Sequence, residues 1–238
     1  MICMSGLYRP RVRKGARVMD GLCIIYGAGE YFGNEFALPG RDDFVIAADG
    51  GFDIVSGHGI RPDLVVGDFD SLGKRPEGDN VLCFPVLKDE TDMMIAVKEG
   101  FSRGFGKFRL HGGTGGRLDH TLGNIRLLLY IANRGGEGIM TGNGYAVTAV
   151  RNSSILFNAE NKGYLSIFAL SDPARGVTLK GLKFPLENAV LDCDVTLGVS
   201  NEFIGRKACV SVDDGALAVL WECSGDIVAP EFIHHEIA

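Results

Sequence analysis

The chain has 238 residues, enough for one large domain or two small ones, and a hydrophobic content of 46% is ample for a packed core. Lys and Arg number 24 against 30 Asp and Glu, which gives a net charge of -6. This acidic balance argues against a nucleic-acid binder that depends on phosphate neutralisation, and it favours a small-molecule partner.

Cysteine usage and hydropathy point to a cytoplasmic protein. The six cysteines are scattered without a CxxC pair, so neither a zinc site nor a disulfide framework is predicted. No segment approaches the roughly 18 consecutive apolar residues of a membrane span, and the run LCIIY is too short for a signal-peptide core. We therefore expect no membrane partner, and we interpret residues 1–19 as a loose basic extension.

From residue 20 to 142, short β-rich runs alternate with helical patterns. The runs are LCIIYG, FVIAAD, DLVVGD, VLCFPV and FRLHGG. Residues 92–103 follow a helical period with Thr91 as N-cap, and residues 118–134 follow another. The second helix is predicted to pack through a stripe formed by Leu118, Leu122, Ile125, Leu129 and Ala132. This alternation predicts an α/β N-terminal domain with a largely parallel sheet.

From residue 143 to 225, the pattern changes to short alternating runs separated by Gly, Asn, Asp and Pro. The runs are YAVTAV, SILF, YLSIFAL, GVTL, ACVSV and ALAVLWE. They predict a C-terminal all-β sandwich domain, with residues 226–238 as a tail.

The first candidate site is the glycine-rich turn GAGEYFG, residues 27–33, which follows a predicted strand. Gly27 and Gly29, with Asp49 further along, approximate a dinucleotide fingerprint with GxGxxxG spacing. A tight turn that simply needs glycine explains the pattern equally well. A dinucleotide-dependent oxidoreductase therefore remains an alternative function.

The second candidate site is a set of aspartates that follow predicted strands. Asp49, Asp68, Asp70 and Asp92 would meet at one edge of an α/β sheet, where ligands bind. Several carboxylates at one edge are strongly unfavourable without a cation, and hard oxygen ligands suit Mg²⁺. Any one of these aspartates alone is better explained as a cap or a turn residue, but Asp68, Asp70 and Asp92 together predict a metal site. Lys88 is a point charge suited to a polyphosphate.

The third candidate site is HGGTGGRLDHTLGN, residues 111–124, where a strand runs through a glycine-rich loop into a helix. Gly115 and Gly116 would let backbone N–H groups approach a phosphate, and a helix N-terminus favours anions. Arg117 could clamp a phosphate, while Asp119 and His120 stand in the first helical turn.

Taken together, these segments resemble the thiamine pyrophosphokinase family. The resemblance rests on five segments in family order: AADGG (47–51), PDLVVGDFDS (62–71), KDETD (88–92), GGTGGRLDH (112–120) and TLGVSN (196–201). It implies transfer of the pyrophosphoryl group of ATP to thiamine, giving thiamine diphosphate and AMP. It also implies a homodimer that builds each active site from two subunits.

The resemblance implies a role for each matching residue. Asp49, Asp68, Asp70 and Asp92 would hold Mg²⁺, with Asp70 and Asp92 also catalytic, together with Arg117 and Asp119. The remaining binding residues would contact nucleotide or thiamine; they are Gly27, Gly29, Lys88, Thr91, Gly115, Gly116, His120, Ser200 and Asn201. No general base is assigned, and a catalytically silent thiamine- or nucleotide-binding module remains a further alternative.

Overall fold

The computed structural model describes residues 19–32, 36, 38–68, 78, 80–84, 89–223 and 228–235. These residues form thirteen strands and three helices, a mixed arrangement of mostly strands. They separate into two compact units, with the division in the helix that spans Leu118–Ala132. None of the described helices is long and apolar enough to cross a membrane.

The first unit contains five strands and places their carboxyl ends at one edge. The strands are β1 (Cys23–Tyr26), β2 (Phe44–Ala48), β3 (Leu64–Gly67), β4 (Val81–Cys83) and β5 (Lys107–His111). Parallel pairs join β5 to β1, β1 to β2, β2 to β3 and β3 to β4. The nearly continuous burial of β1 and β2 is typical of parallel strands covered on both faces.

Three helices accompany these strands, α1 (Gly51–Gly57), α2 (Asp92–Ser102) and α3 (Leu118–Ala132). Helix α2 packs on β1, β2 and β3. Its predicted cap is present, because the Thr91 hydroxyl accepts a hydrogen bond from the Met94 N–H at 3.3 Å. Its buried face contains Ile95, Ala96 and Val97.

The predicted apolar stripe of α3 is wrong in register. Leu118 is 71% exposed and Leu122 is 57% exposed, whereas Leu127, Leu128 and Ile131 are buried. Buried residues at i, i+1 and i+4, preceded by Asn124, show that the inward face is rotated from the stripe predicted. The inward face also carries a polar contact, because the buried Asn124 amide donates to the Gly113 carbonyl at 2.7 Å.

The second unit is built from antiparallel strands. They are β6 (Glu137–Gly142), β7 (Tyr145–Phe157), β8 (Tyr164–Ala169), β9 (Ala174–Lys180), β10 (Leu186–Leu191), β11 (Asn201–Glu202), β12 (Ala208–Glu222) and β13 (Glu231–His234). Strand β12 pairs with β7 along its length, with β9 over its first half and with β8 over its second half. Side chains from β8 and β9, which do not pair with each other, share one buried core with those of β7 and β12.

In two places, two strands that the sequence predicts separately form one continuous strand in the structure. YAVTAV and SILF belong to β7, and ACVSV and ALAVLWE belong to β12. The polar residues that separate them in the sequence form an irregularity, where Asn152 has a φ of 46° and its Oδ1 accepts from the Gly215 N–H at 2.8 Å. The register of β12 shifts between Val212 and Ala216, which is where its partner changes from β9 to β8.

Both termini contribute more than the sequence predicts. Met19 forms a parallel bridge with Phe105, and residues 1–18 lie outside the described residues. In the predicted tail, β13 pairs antiparallel with Ser153–Leu156 of β7, and the Ser154 hydroxyl lies 2.7 Å from His235 Nε2. Part of the tail is therefore an edge strand of the second unit.

Candidate active site

The carboxyl edge of the parallel strands carries most of the predicted nucleotide-site residues. Gly27 follows β1, Asp49 follows β2, Asp68 follows β3, and the glycine loop 112–116 follows β5. Since β5, β1, β2 and β3 are parallel neighbours, these positions lie along one edge. Ligands of open α/β sheets bind at such an edge.

The two glycine-rich segments are joined main chain to main chain. Three N–H groups of the turn that follows β1 donate to carbonyls at the end of β5 and in the loop that follows it: Gly27 to His111, Gly29 to Gly112, and Glu30 to Thr114, each at 2.9 Å. The Tyr31 hydroxyl closes the turn by donating to the Gly27 carbonyl at 2.7 Å. The turn 27–31 therefore supports the loop 112–116.

The glycines of the turn are required by this close approach. A Cβ atom at Gly29 would lie 2.4 Å from the Gly112 carbonyl oxygen and 2.6 Å from that of Thr114. Gly112 has a φ of 60°, and a Cβ there would meet the Tyr31 ring at 2.6 Å. Backbone packing thus accounts for the glycine spacing that also resembled a dinucleotide fingerprint.

The described aspartates occupy half-buried positions at the same edge. Asp49 has a φ of 50°, and its N–H donates to the Val66 carbonyl of the neighbouring β3 at 2.8 Å. Asp68 comes one residue after β3, and Asp92 is the first residue of α2. Within the described ranges, no three His, Cys, Asp or Glu side chains are arranged to hold a metal ion. Asp70 and Lys88 lie outside those ranges.

Arg117 and Asp119 form an exposed bidentate ion pair at the start of α3. Arg117 Nε lies 3.2 Å from Asp119 Oδ1, and Nη2 lies 2.5 Å from Oδ2. This hydrogen-bonded pairing lowers the pKa of the Asp119 carboxyl and raises the pKa of the Arg117 guanidinium. His120 is also exposed. The guanidinium is accessible and fixed in direction, which suits an anion approaching the glycine loop.

Below the glycine loop, His111 is a buried structural residue. Its ring stacks on that of Tyr26, with centroids 5.2 Å apart, and the two residues are register partners on β5 and β1. Burial lowers the pKa of His111 to about 4, and Arg109 contributes in the same direction. The ring is therefore neutral at pH 7 and does not add charge to the site.

In the second unit, Ser200 is exposed and conformationally fixed. Its φ is 59°, and its N–H donates to the Ser166 hydroxyl at 2.9 Å. The nearby Gly198 has a φ of 100°, and its carbonyl accepts from the Ile167 N–H at 3.0 Å. The segment is therefore attached to β8 at two consecutive residues of that strand.

Asn201 is predicted as a ligand residue, but its side chain is buried and bonded to the protein. It is 2% exposed. Its Oδ1 accepts from the N–H of Phe184 at 3.0 Å and of Glu202 at 2.9 Å, and its Nδ2 donates to the Phe184 carbonyl at 2.7 Å. These bonds account for both acceptor sites and one of the two donor hydrogens.

Sequence reasoning misses two residues of this region. Ser166 holds Ser200, and Phe184 presents a ring that is 58% exposed on backbone anchored by Asn201. The sequence GLKFPL carries a weak signal for Phe184, since a large aromatic between Lys and Pro breaks strand alternation. Trp221, by contrast, is 2% exposed and packs edge-on against Phe157, so it belongs to the core.

Comparisons with known proteins match both parts of the chain. Residues 38–139 match the domain family described as "Thiamin pyrophosphokinase, catalytic domain". Residues 153–217 match the one described as "Thiamin pyrophosphokinase, vitamin B1 binding domain". The chain is 31% identical over 176 residues to the thiamine pyrophosphokinase of Bacillus subtilis (strain 168), covering 68% of this chain and 79% of that protein.

Solved structures are similar over most of the chain. The thiamine pyrophosphokinase structure from Bacillus subtilis matches with a TM-score of 0.74 at 25% identity, covering 87% of this chain and 100% of the other. That from Geobacillus thermodenitrificans matches with a TM-score of 0.73 at 29% identity, covering 85% and 98%.

Proposed function

The chain belongs to the thiamine pyrophosphokinase family, and we propose that it performs this family's reaction as a Mg²⁺-dependent enzyme. It transfers the pyrophosphoryl group of ATP to thiamine. The hydroxyethyl oxygen of thiamine bonds to the β-phosphorus and releases its proton to the medium, the bond from that phosphorus to the α,β-bridging oxygen breaks, and AMP leaves. The observation that carries the proposal is the match of both domain families, in order, over 38–139 and 153–217.

The first unit supplies the nucleotide-binding residues in this proposal. The backbone N–H of Gly115 and the guanidinium of Arg117 would receive the triphosphate, with Lys88 as a further cation, and Gly116 completes the loop through its bond to Glu30. Asp119 orients Arg117 through their bidentate pair. Gly27 and Gly29 support the loop through their main-chain bonds to His111 and Gly112.

Thr91 and His120 are further candidate nucleotide contacts. Such a transfer chiefly needs positioning and charge neutralisation.

The carboxylates fit Mg²⁺ by their chemistry. Asp49, Asp68 and Asp92 offer hard oxygen donors at half-buried positions along one edge. With Asp70, they are the residues that would hold the ion, which when bound neutralises charge on the triphosphate. The main-chain bond from the Asp49 N–H to Val66 fixes the backbone from which the Asp49 carboxylate extends.

The second unit supplies the thiamine-binding residues. The Ser200 hydroxyl is the proposed contact to the pyrimidine ring, since Ser200 is exposed and its backbone is fixed. Phe184 offers an exposed aromatic face to the same ring. Asn201 keeps both segments in place and acts through them.

Domain limits, assembly and location are also proposed. Residues 20–142 form the ATP-binding domain and 143–225 the thiamine-binding sandwich, in keeping with the two family matches. The exposed Leu118 and Leu122 favour a homodimer, because a second copy would cover them. A cytoplasmic location is supported by the free thiols of Cys23, Cys83, Cys193, Cys209 and Cys223.

The alternative functions lose their support. Gly27 and Gly29 are explained by packing against the loop 112–116, so the oxidoreductase interpretation has no observation in its favour. A silent binding module is displaced by the family match over both domains.

The test is a product assay with ATP, Mg²⁺ and thiamine. We expect thiamine diphosphate and AMP together, and neither after chelation of the metal.

Asp92→Asn should lower kcat by about a hundredfold or more, because it removes a proposed metal ligand. Asp42→Asn, before β2 at the opposite end of the strands, is the control and should retain activity. Thiamine monophosphate with ADP would contradict pyrophosphoryl transfer.

A further inference from the structure

Glu30 contacts three consecutive residues of the glycine loop. Its N–H donates to the Thr114 carbonyl at 2.9 Å. Its Oε1 accepts a hydrogen bond from the Gly116 N–H at 2.8 Å. Between these two bonds, its side chain lies across Gly115, where a Cβ atom would meet Glu30 Cβ, Cγ and Cδ at 2.6 to 2.7 Å.

The loop needs such a contact because its own conformation is costly to maintain. Gly115 and Gly116 have φ values of 83° and 57°, and glycine has more conformational freedom to lose than any other residue. Gly116 is exposed, so burial alone does not fix it. Glu30 is exposed as well, but its backbone is fixed by the main-chain bond to Thr114.

The second unit contains the same arrangement outside the proposed nucleotide site. Glu222 Oε2 accepts from the Tyr164 N–H at 2.9 Å. Its side chain lies across Gly163, whose φ is 81° and where an added Cβ would meet Glu222 Cβ and Cδ at 3.1 Å. A glutamate laid across a left-handed glycine, accepting from the following N–H, is therefore a turn brace in this fold. Glu222 provides a matched control for Glu30.

We propose that Glu30 is a positioning residue that holds the loop Thr114–Gly116 in the conformation that receives the triphosphate of ATP. The effect on ATP rests on the proposed function of the loop, whereas the effect on loop order does not. Glu30 acts through the Gly116 backbone and makes no contact with substrate in this role.

The charge of Glu30 makes a competing interpretation testable. A carboxylate that accepts from Gly116 N–H could instead occupy the place of a phosphate and compete with ATP. The two interpretations predict opposite changes in ATP affinity when Glu30 is replaced. Removal of a brace weakens ATP binding, whereas removal of an internal competitor strengthens it.

The experiment compares Glu30→Ala, Glu30→Gln and Glu222→Ala by steady-state kinetics, by calorimetric titration with ATP and Mg²⁺, and by amide hydrogen exchange without nucleotide. We expect Glu30→Ala to raise the KM for ATP about threefold to tenfold, the worth of one hydrogen bond. The KM for thiamine should stay unchanged, and exchange should accelerate in the peptide containing Gly116. Glu30→Gln should retain most of the affinity for ATP, because its amide oxygen can still accept a hydrogen bond from the Gly116 N–H.

The Glu222→Ala control and the contrary outcomes distinguish the brace from the internal competitor. Glu222→Ala should accelerate exchange at Tyr164 and leave the KM for ATP unchanged. A lower KM for ATP in both Glu30 variants would overturn the brace in favour of competition, and wild-type values in Glu30→Ala would overturn both. If wild-type protein makes no thiamine diphosphate, the proposed function fails, while the titration and the exchange of Gly116 still decide the role of Glu30.

Discussion

The glycine loop 112–116 of the first unit and the segment 198–202 of the second unit are fixed by different combinations of contact. Residues 27–30 meet residues 111–114 main chain to main chain, with three N–H to carbonyl bonds of 2.9 Å. Residues 198–202 also make main-chain contacts with β8, such as the Ile167 N–H bond to the Gly198 carbonyl. They depend in addition on side chains: the Ser166 hydroxyl accepts from Ser200, and the Asn201 amide binds Phe184 and Glu202.

This difference determines which residues each region tolerates. The first region requires that side chains be absent, because a Cβ at Gly29 would overlap carbonyl oxygens. The second region requires particular side-chain atoms in particular places. Substitutions that add atoms should therefore do most harm in the first region, and substitutions that remove polar atoms should do most harm in the second.

The largest expected effect is that of Gly29→Ala. The added methyl group would lie 2.4 and 2.6 Å from two carbonyl oxygens of a rigid backbone, and neither can move without breaking a hydrogen bond. We expect a loss of about 3 kcal/mol or more in the free energy of unfolding, measured in urea, and nearly complete loss of activity.

Gly123→Ala is the control for this prediction. Gly123 lies in the exposed part of α3, where an added Cβ meets nothing within 4 Å. The Gly123→Ala substitution should raise the free energy of unfolding by about 0.5 to 1 kcal/mol, because Ala has a higher helix propensity than Gly. A stable and active Gly29→Ala protein would mean that the two glycine segments can separate, contrary to the main-chain pairing described above.

An intermediate effect is expected for Asn201→Ala. It removes three hydrogen bonds and leaves two N–H groups and one carbonyl without their partner. We expect a loss of about 2 kcal/mol, less than the sum of three buried groups, since water can reach the exposed Phe184. The KM for thiamine should rise, because Ser200 and Phe184 lose their shared anchor.

Asn201→Asp sharpens this prediction. Its carboxylate can still accept from Phe184 and Glu202, but it places an oxygen opposite the Phe184 carbonyl, where the amide donates at 2.7 Å. It should be no more stable than Asn201→Ala. Asn158→Ala, which removes a local acceptor for the Glu160 N–H at 3.1 Å, should leave the KM for thiamine unchanged. An Asn201→Ala enzyme with normal stability would contradict the anchoring role.

The sequence predicts the first region better than the second. Glycine spacing and strand-end aspartates are visible in the sequence because short-range geometry demands them, and all five predicted strands of the first unit are strands. The partner of each glycine is not visible, because Gly29 meets Gly112 only through the pairing of β1 with β5. The same applies to Asn201, whose position in TLGVSN indicates a ligand contact and whose bonds depend on the distant Phe184.

Helix α3 illustrates a second limit. A helical period places Leu118 and Leu122 on one stripe with Ile125, but the period alone does not determine which of two partly apolar faces is buried. The face that is buried carries Leu127, Leu128 and Ile131, and it also contains the Asn124 amide bonded to the Gly113 carbonyl. Polar residues at helical positions are conventionally assigned to the solvent face, so this contact could not be inferred from hydrophobicity.

The smallest expected effect is that of Ser166→Ala, which removes the acceptor for the Ser200 N–H. Because Ser200 is exposed, water can replace the bond, so the free energy of unfolding should fall by about 1 kcal/mol or less. The KM for thiamine should nevertheless rise about twofold to fivefold, since Ser200 would hold its left-handed conformation less firmly, while kcat and the KM for ATP stay unchanged. Ser171→Ala removes an acceptor from the Ala216 N–H at 2.8 Å. Because Ala216 is buried, this variant should cost more stability than Ser166→Ala, yet leave the KM for thiamine unchanged. Equal KM values in the two variants would mean that side-chain contacts in the second region contribute stability only, and that Ser200 is held by its backbone neighbours.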